Sequence, residues 1–155
     1  MKRNTIVFAL LLLTSAAFAQ KVNYSGEWKL NEGKSELGNE FSMAPASISV
    51  THARKTLDLK TRYVWNGQER VNESHFNLNG KETENEGYGE TVTTSTAEVN
   101  KGTRAIKIFT RGSSEGIGDW NSTQILSMKE GHLVIDFAAA SDMGEITETY
   151  VFDRL

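Results

Sequence analysis

The 155-residue chain has no cysteine and only one proline, Pro45. The lack of cysteine excludes disulfides, and it also excludes a lipid anchor on a cysteine at a processed N-terminus. A chain of this length buries about two-thirds of its unfolded surface, which is enough for one hydrophobic core. We therefore expect a single domain, over residues 20–155, that is stabilised by ordinary burial.

Positive charge is also scarce. The chain has 17 lysines and arginines against 20 acidic residues, which gives a formal net charge of −3. Lys2 and Arg3 lie at the extreme N-terminus, and without them the charge is −5. Nucleic-acid binding requires clustered Lys and Arg, so this class of partner is excluded.

The first 19 residues have the pattern of a secretory signal peptide. Lys2 and Arg3 precede an apolar run from Ile6 to Leu13, and Ala17-Phe18-Ala19 supplies a small-x-small cleavage site. The run is too short to span a bilayer, which needs about 20 apolar residues. We therefore expect a protein that is exported to a periplasm or out of the cell, is soluble from Gln20 onwards, and has no stable membrane insertion.

The rest of the chain has the pattern of short β-strands joined by tight turns. Asn66-Gly67, Asn79-Gly80 and Glu130-Gly131 separate runs of alternating polarity, and Asn-Gly tolerates the positive φ of a two-residue hairpin. Thr56 to Trp65 largely alternates, and so does His132 to Phe137. Strands are predicted near 24–31, 46–53, 56–65, 68–78, 82–88, 91–99, 103–111, 119–129, 132–140 and 145–153.

These strands predict an all-β fold, a single antiparallel up-and-down β-barrel of about 8–10 strands. Nearly every connection is hairpin-length, so sequential strands should pair all the way round, and closure would remove exposed edges. The long gap at residues 32–44 is expected to hold a helical turn or two. The glycine-rich stretch Gly112 to Gly118 is expected to be a flexible loop at the mouth of the barrel.

The first predicted strand carries Gly26-Glu27-Trp28-Lys29-Leu30. It resembles the Gly-x-Trp signature of lipocalins and the opening of intracellular fatty-acid-binding proteins, which both belong to the calycin superfamily. This resemblance implies a calycin-like barrel in which Trp28 closes one end beneath Arg154 on the last strand. The last strand carries Glu148 where fatty-acid-binding proteins have an arginine that grips the lipid carboxylate, so that grip does not carry over.

No pattern in the chain indicates catalysis, a metal or a cofactor. Nucleophile elbows, His-Glu-x-x-His motifs and phosphate-binding glycine loops are all absent. The three histidines, His52, His75 and His132, lack ligand spacing, although a haem on a single histidine stays open. The row Glu82, Glu84 and Glu86 could hold a hard cation but is more typical of a solvated strand face. We therefore predict a protein that is not an enzyme.

The inward faces of the predicted strands combine aromatic, aliphatic and hydroxyl side chains. A filled barrel would be almost wholly aliphatic, whereas a mixed lining suits a cavity for a small hydrophobic or amphiphilic molecule. No inward arginine is evident, so a neutral or weakly cationic guest is expected, and a buried Glu148 would need a partner or a raised pKa. The predicted lining is Leu59, Thr61, Tyr63, Trp65, Ile108, Trp120, Gln124, Phe137, Glu148 and Tyr150. The alternative is a filled barrel that contacts a protein or glycan through its loops or outer face.

Overall fold

The computed structural model describes residues 21–87, 89 and 91–155. The predicted signal peptide and its cleavage site lie outside these residues. The described chain includes the 3₁₀ turn Glu32–Lys34 and ten β-strands. The strands are β1 (Gly26–Leu30), β2 (Ser47–His52), β3 (Thr56–Trp65), β4 (Gln68–Asn77), β5 (Thr83–Glu86), β6 (Val92–Val99), β7 (Ile106–Ser114), β8 (Gly118–Lys129), β9 (His132–Ser141) and β10 (Gly144–Arg154). In this part of the chain, no helix has the length and apolarity to span a bilayer.

All ten strands belong to one antiparallel sheet, and the prediction of an all-β up-and-down barrel is confirmed. The order in the sheet is β4-β3-β2-β1-β10-β9-β8-β7-β6-β5, so the last strand pairs with the first. In the β1–β10 ladder Trp28 lies opposite Arg154 and Leu30 lies opposite Phe152. The barrel is nearly closed. The gap lies between β4 and β5, the two strands at the ends of this order, which form no hydrogen-bonded ladder with each other.

Two of the predicted hairpin turns have the backbone that their sequences favour. Asn66 and Gly67 have φ values of 50° and 75°, and Glu130 and Gly131 have values of 50° and 83°. Two consecutive residues with positive φ match the right-handed twist of the strands that they join. These turns fix the registers of β3 with β4 and of β8 with β9.

Two local predictions are wrong. Asn79-Gly80 does not join a hydrogen-bonded hairpin, because β4 and β5 form no ladder and Asn79 instead bridges to Glu98. The stretch from Gly112 to Gly118 is not a loop throughout, because β7 extends to Ser114 and β8 begins at Gly118. Gly112 lies opposite Trp120, and a β-carbon on Gly112 would lie 2.6 Å from the indole ring. The glycine therefore gives the indole room to lie along the wall.

Side chains take the place of the missing β4–β5 ladder. The Asn85 amide accepts from the backbone N–H of His75 at 2.7 Å and donates to the His75 carbonyl at 2.9 Å. Arg70 Nη2 donates to the Gly87 carbonyl at 3.3 Å further along the same gap. An amide that pairs with both backbone groups of one residue imitates a ladder, which reduces the cost of the unpaired strand edges.

One end of the barrel, the closed end, is packed solid. It holds the fully buried side chains Trp28, Leu57, Ile106, Leu126, Leu133 and Phe152. Tyr24 lies across this end, where its hydroxyl donates to the carbonyls of Arg104 at 2.9 Å and Leu126 at 3.2 Å. The segment before β1 therefore seals the barrel against β7 and β8.

Trp28 and Arg154 have the arrangement that the resemblance implies. The guanidinium carbon of Arg154 lies 4.3 Å from the centroid of the Trp28 ring, and Arg154 Nη1 donates to the Ser25 carbonyl at 3.0 Å. Gly26 has a φ of 147°, and a β-carbon there would lie 2.5 Å from Arg154 Nη1. The glycine of the Gly-x-Trp signature is thus required both by the backbone and by the arginine that covers the tryptophan.

Replacement of this arginine should cost measurable stability. We expect Arg154→Ala to lower the free energy of unfolding by about 1 kcal/mol, because the cation–π contact and the packing of the arginine stem are lost. Urea denaturation of the variant and of Lys29→Ala, an exposed neighbour on the outward face of β1, would measure the difference. An equal, small effect of both substitutions would show that the stack contributes nothing.

Candidate functional site: the barrel interior

The alternation of each strand determines which side chains face the interior. Directly opposed residues share a face, so the pairs Val50–Leu59, Ile108–Gln124 and Gln124–Phe137 place these side chains inside. Phe109 is 36% exposed whereas Ile108 is fully buried, which shows that Ile108 is the inward residue of the two. The interior is therefore built from the predicted faces of β3, β7, β8, β9 and β10.

The end opposite Trp28, the open end, is not sealed in this way. Inward side chains there keep partial exposure, and Tyr63 at the end of β3 is 36% exposed. Thr61, Asn72, Trp120 and Ile146 are also inward by register and only partly buried. The loops around this end carry exposed apolar side chains, which are Phe41, Met43, Ile117 and Met143.

Apart from Glu148, the predicted lining residues fall into three groups. Leu59, Ile108 and Tyr150 are buried members of the main core cluster, and Phe137 packs against it. Thr61, Tyr63, Trp120 and Gln124 face the interior towards the open end. Trp65 is 64% exposed and its ring lies 5.5 Å from that of Phe41, so it lies at the rim and not inside.

Glu148 is buried, and it binds the loop between β1 and β2. We call the second part of this loop, residues 37–46, the strap. It passes over the part of the barrel wall that lies beyond the end of β1. The N–H of Gly38 donates to Glu148 Oε1 at 2.7 Å, the N–H of Met43 donates to Oε2 at 3.0 Å, and the Tyr150 hydroxyl donates to Oε2 at 2.6 Å. Because Phe41 of the strap also contacts Trp65 on β3, the strap connects β10 with β3 across the open end.

The charge of Glu148 is stabilised by these donors. Burial by itself would raise the pKa of this carboxyl group, but the Gly38 N–H, the hydroxyls of Tyr150 and Ser42 and the Met43 N–H together lower it below 4.5. Burial and the adjacent carboxylate raise the pKa of the Tyr150 hydroxyl. A buried Glu148 is expected to need either hydrogen-bond partners or a raised pKa. It has the partners, and its pKa is lowered.

This lowered pKa predicts a pH-dependent stability. A carboxyl group with a lower pKa in the folded state contributes stability fully above its unfolded pKa, and the contribution is lost as the pH falls through the folded pKa. We expect the difference in unfolding free energy between the wild type and Glu148→Gln to shrink as the pH falls below about 4.5. Urea denaturation at a series of pH values would measure it, and a difference that stays constant down to acid pH would contradict the assignment.

Sequence reasoning missed one charged side chain of the interior, Arg70. It lies opposite Tyr63 in the β3–β4 register and is partly buried. Although Tyr63 is 36% exposed, desolvation of its hydroxyl raises its pKa, while the Thr61 hydroxyl and the charge of Arg70 act in the opposite direction. The expectation that no arginine points inward is therefore wrong, although this guanidinium is already engaged by the Gly87 carbonyl.

The histidines and the acidic row lie apart from this site. His75 pairs with Asp58 at 2.6 Å and His132 pairs with Asp153 at 2.8 Å, both on the outer face. The ring of His52 lies 5.4 Å from that of Tyr24, tilted by 53°, at the closed end, where burial and the charges of Lys21 and Arg104 lower the pKa of His52. In the described part of the chain, no group of three or more His, Cys, Asp or Glu side chains could hold a metal ion.

Two concavities lie mainly on the outer face of the sheet. The smaller, of about 300 Å³, crosses β8, β9 and β10 beside Ile125, Asp136 and Thr149. The larger, of about 660 Å³, crosses β6 to β9 beside Phe109 and Arg111. They share only Phe137, Glu148 and Trp120 with the predicted lining, so they are surfaces separate from the interior.

Comparisons with known proteins identify the fold. No protein-family model matches the sequence, and no curated protein matches it. The structure is similar to a crystal structure of zebrafish ileal bile acid-binding protein complexed with cholic acid, with a TM-score of 0.61 and 15% sequence identity. The similarity covers 85% of this chain and 98% of that one. The chain has a calycin-like fold.

In this calycin-like barrel the opening strand and the last strand occupy the places that the sequence resemblance implied. Trp28 lies at the closed end and Arg154 covers it. Between β1 and β2 the chain forms the 3₁₀ turn Glu32–Lys34 and then the strap. Glu148 fixes the position of the strap.

Proposed function

We propose that this calycin-like barrel is an exported, non-enzymatic binding protein for a small hydrophobic or amphiphilic molecule, which enters the interior at the open end. The observation that carries the proposal is the difference between the two ends. Trp28 is fully buried at the closed end, whereas Tyr63 at the other end is inward and 36% exposed. An interior that is sealed at one end and accessible at the other suits reversible binding of a guest.

The character of the interior supports the same proposal. Phe137 and Tyr150 stack at 5.6 Å on one wall, and hydroxyl and amide groups lie on the neighbouring strands. Such a lining offers apolar contact together with a few polar groups that fix orientation. The bile acid-binding protein with the same fold supports a hydrophobic guest, and the leader pattern at residues 1–19 supports export.

Native mass spectrometry of gently purified exported protein tests this proposal. We expect a polypeptide that begins at Gln20 and carries a small molecule, which solvent extraction would release for identification. We also expect hydrophobic fluorescent probes to quench tryptophan emission. An apo mass together with no response to any probe would contradict the binding function, and a full-length membrane-bound product would contradict export.

A second candidate is an interaction module that contacts a protein or glycan through its surface. The exposed apolar side chains Phe41, Met43, Ile117 and Met143 at the open end and the outer concavity of about 660 Å³ favour it. Replacement of the rim residue Met143 by Ser separates the two functions. An interaction module would lose its partner, whereas a binding protein would keep its affinity for a guest held deep in the barrel.

A further inference from the structure

Two polar side chains of β8 face the interior without a protein partner. Ser122 is 7% exposed, and neither its hydroxyl nor the amide of Gln124 has a hydrogen-bond partner among the described residues. The two residues are separated by Thr123 and therefore point to the same side of the strand. The polar atoms of both side chains keep solvent contact, because neither is among the fully buried polar atoms without a partner. The hydroxyl and the amide are therefore free to bind a water or another molecule inside the barrel.

The surroundings of this pair are polar on one side and apolar on the other. Residues that lie opposite one another across adjacent strands form a row. In the row of Ser122, Thr110 lies on β7 and Ser95 on β6, and their hydroxyls lie 2.8 Å apart. In the row of Gln124, the neighbours are Ile108 and Phe137. A guest at this place would meet hydroxyl groups along one edge and apolar side chains along the other.

The charges of the interior are engaged elsewhere. Glu148 is in the same row as Gln124, two strands away across Phe137, which corresponds to about 10 Å. Its carboxylate binds the strap, and it would repel a second anion at Gln124. Arg70 is on β4 and donates to Gly87, so it does not provide a cation within the rows of Ser122 and Gln124.

We propose that Ser122 and Gln124 form an uncharged anchor that binds a hydroxyl or carbonyl group of a neutral amphiphile. A primary amide offers both a donor and an acceptor, and a hydroxyl group does the same, so that the pair can satisfy either group of a ligand. A carboxylate would lose its hydration here without gaining a cation. This inference rests on the proposed binding function and specifies its ligand class and two specificity-determining residues.

The test compares two probes of equal chain length, monodecanoylglycerol and decanoate, on the wild type, Ser122→Ala and Gln124→Leu. We expect the wild type to bind the neutral glyceride more tightly than the anion. Each substitution should weaken glyceride binding about three- to tenfold, the effect of one neutral hydrogen bond, and leave decanoate binding unchanged. Thr123→Val, on the outward face of the same strand, is the matched control and should change neither affinity.

Stability provides the second readout. Removal of a buried polar group that has no protein partner should leave the urea midpoint unchanged or raise it, while the affinity for the glyceride falls. Parallel loss of stability and affinity would show a structural role and overturn the anchor. Equal binding of both probes by all variants would mean that water alone satisfies the pair, which overturns the anchor but not the binding function. Failure of the wild type to bind any probe would overturn both.

Discussion

Trp28→Ala is expected to lower the free energy of unfolding by about 3–5 kcal/mol, the usual cost when a large core aromatic is truncated. The indole is fully buried, its Nε1 donates to the Tyr24 carbonyl at 3.0 Å, and Arg154 stacks on its face. The substitution therefore creates a cavity, leaves a carbonyl unpaired and removes the support of Arg154. Urea denaturation followed by circular dichroism would measure the effect without dependence on tryptophan emission.

Trp65→Ala is the matched control for this experiment. Trp65 is 64% exposed at the rim, so its loss should cost less than about 1 kcal/mol. Trp28→Phe should fall between the two, because it keeps most of the packing and loses the hydrogen bond to Tyr24. Equal costs for Trp28→Ala and Trp65→Ala would mean that the closed end does not depend on the Gly-x-Trp signature.

Local sequence rules predicted most of the strands, because the turns and the alternation act over a few residues. Asn66-Gly67 determines its hairpin through positive φ values that other residues adopt only at a cost. The interruption between β4 and β5 could not be predicted in the same way. The Asn79-Gly80 sequence favours a hairpin, but Asn79 pairs with Glu98 on β6, a contact that depends on the whole barrel.

The orientation of β4 shows why one charged residue of the site was missed. Alternation by polarity would place Val71 inside, yet Val71 is 48% exposed and Arg70 points inward. The buried Phe76 further along β4 fixes the phase of the strand, and the period of two then carries Arg70 and Asn72 to the inner face. The burial of Phe76 near one end of β4 thus determines the face on which Arg70, six positions earlier, is placed.

The role of Glu148 depends on contacts that no local pattern contains. Its place on the inner face of β10 follows from the alternation with Tyr150 and Phe152, but its two backbone donors, the N–H groups of Gly38 and Met43, lie more than 100 positions earlier in the chain. The strap lacks helical or strand periodicity, so its path could be read only from the folded structure. Glu148 is accordingly a residue that positions the strap, and its value as a ligand contact remains a prediction.

Glu148→Ala should therefore be the second most damaging substitution, with an expected cost of about 3 kcal/mol, because it leaves the N–H groups of Gly38 and Met43 and the Tyr150 hydroxyl without their acceptor. Urea denaturation would measure the global loss, and hydrogen exchange would show whether protection falls first at the amides of residues 38 and 43. Glu145→Ala, an exposed position on the same strand, should change neither quantity. If those two amides kept their protection in Glu148→Ala, the strap would be held by Phe41 and Trp65 and not by the carboxylate.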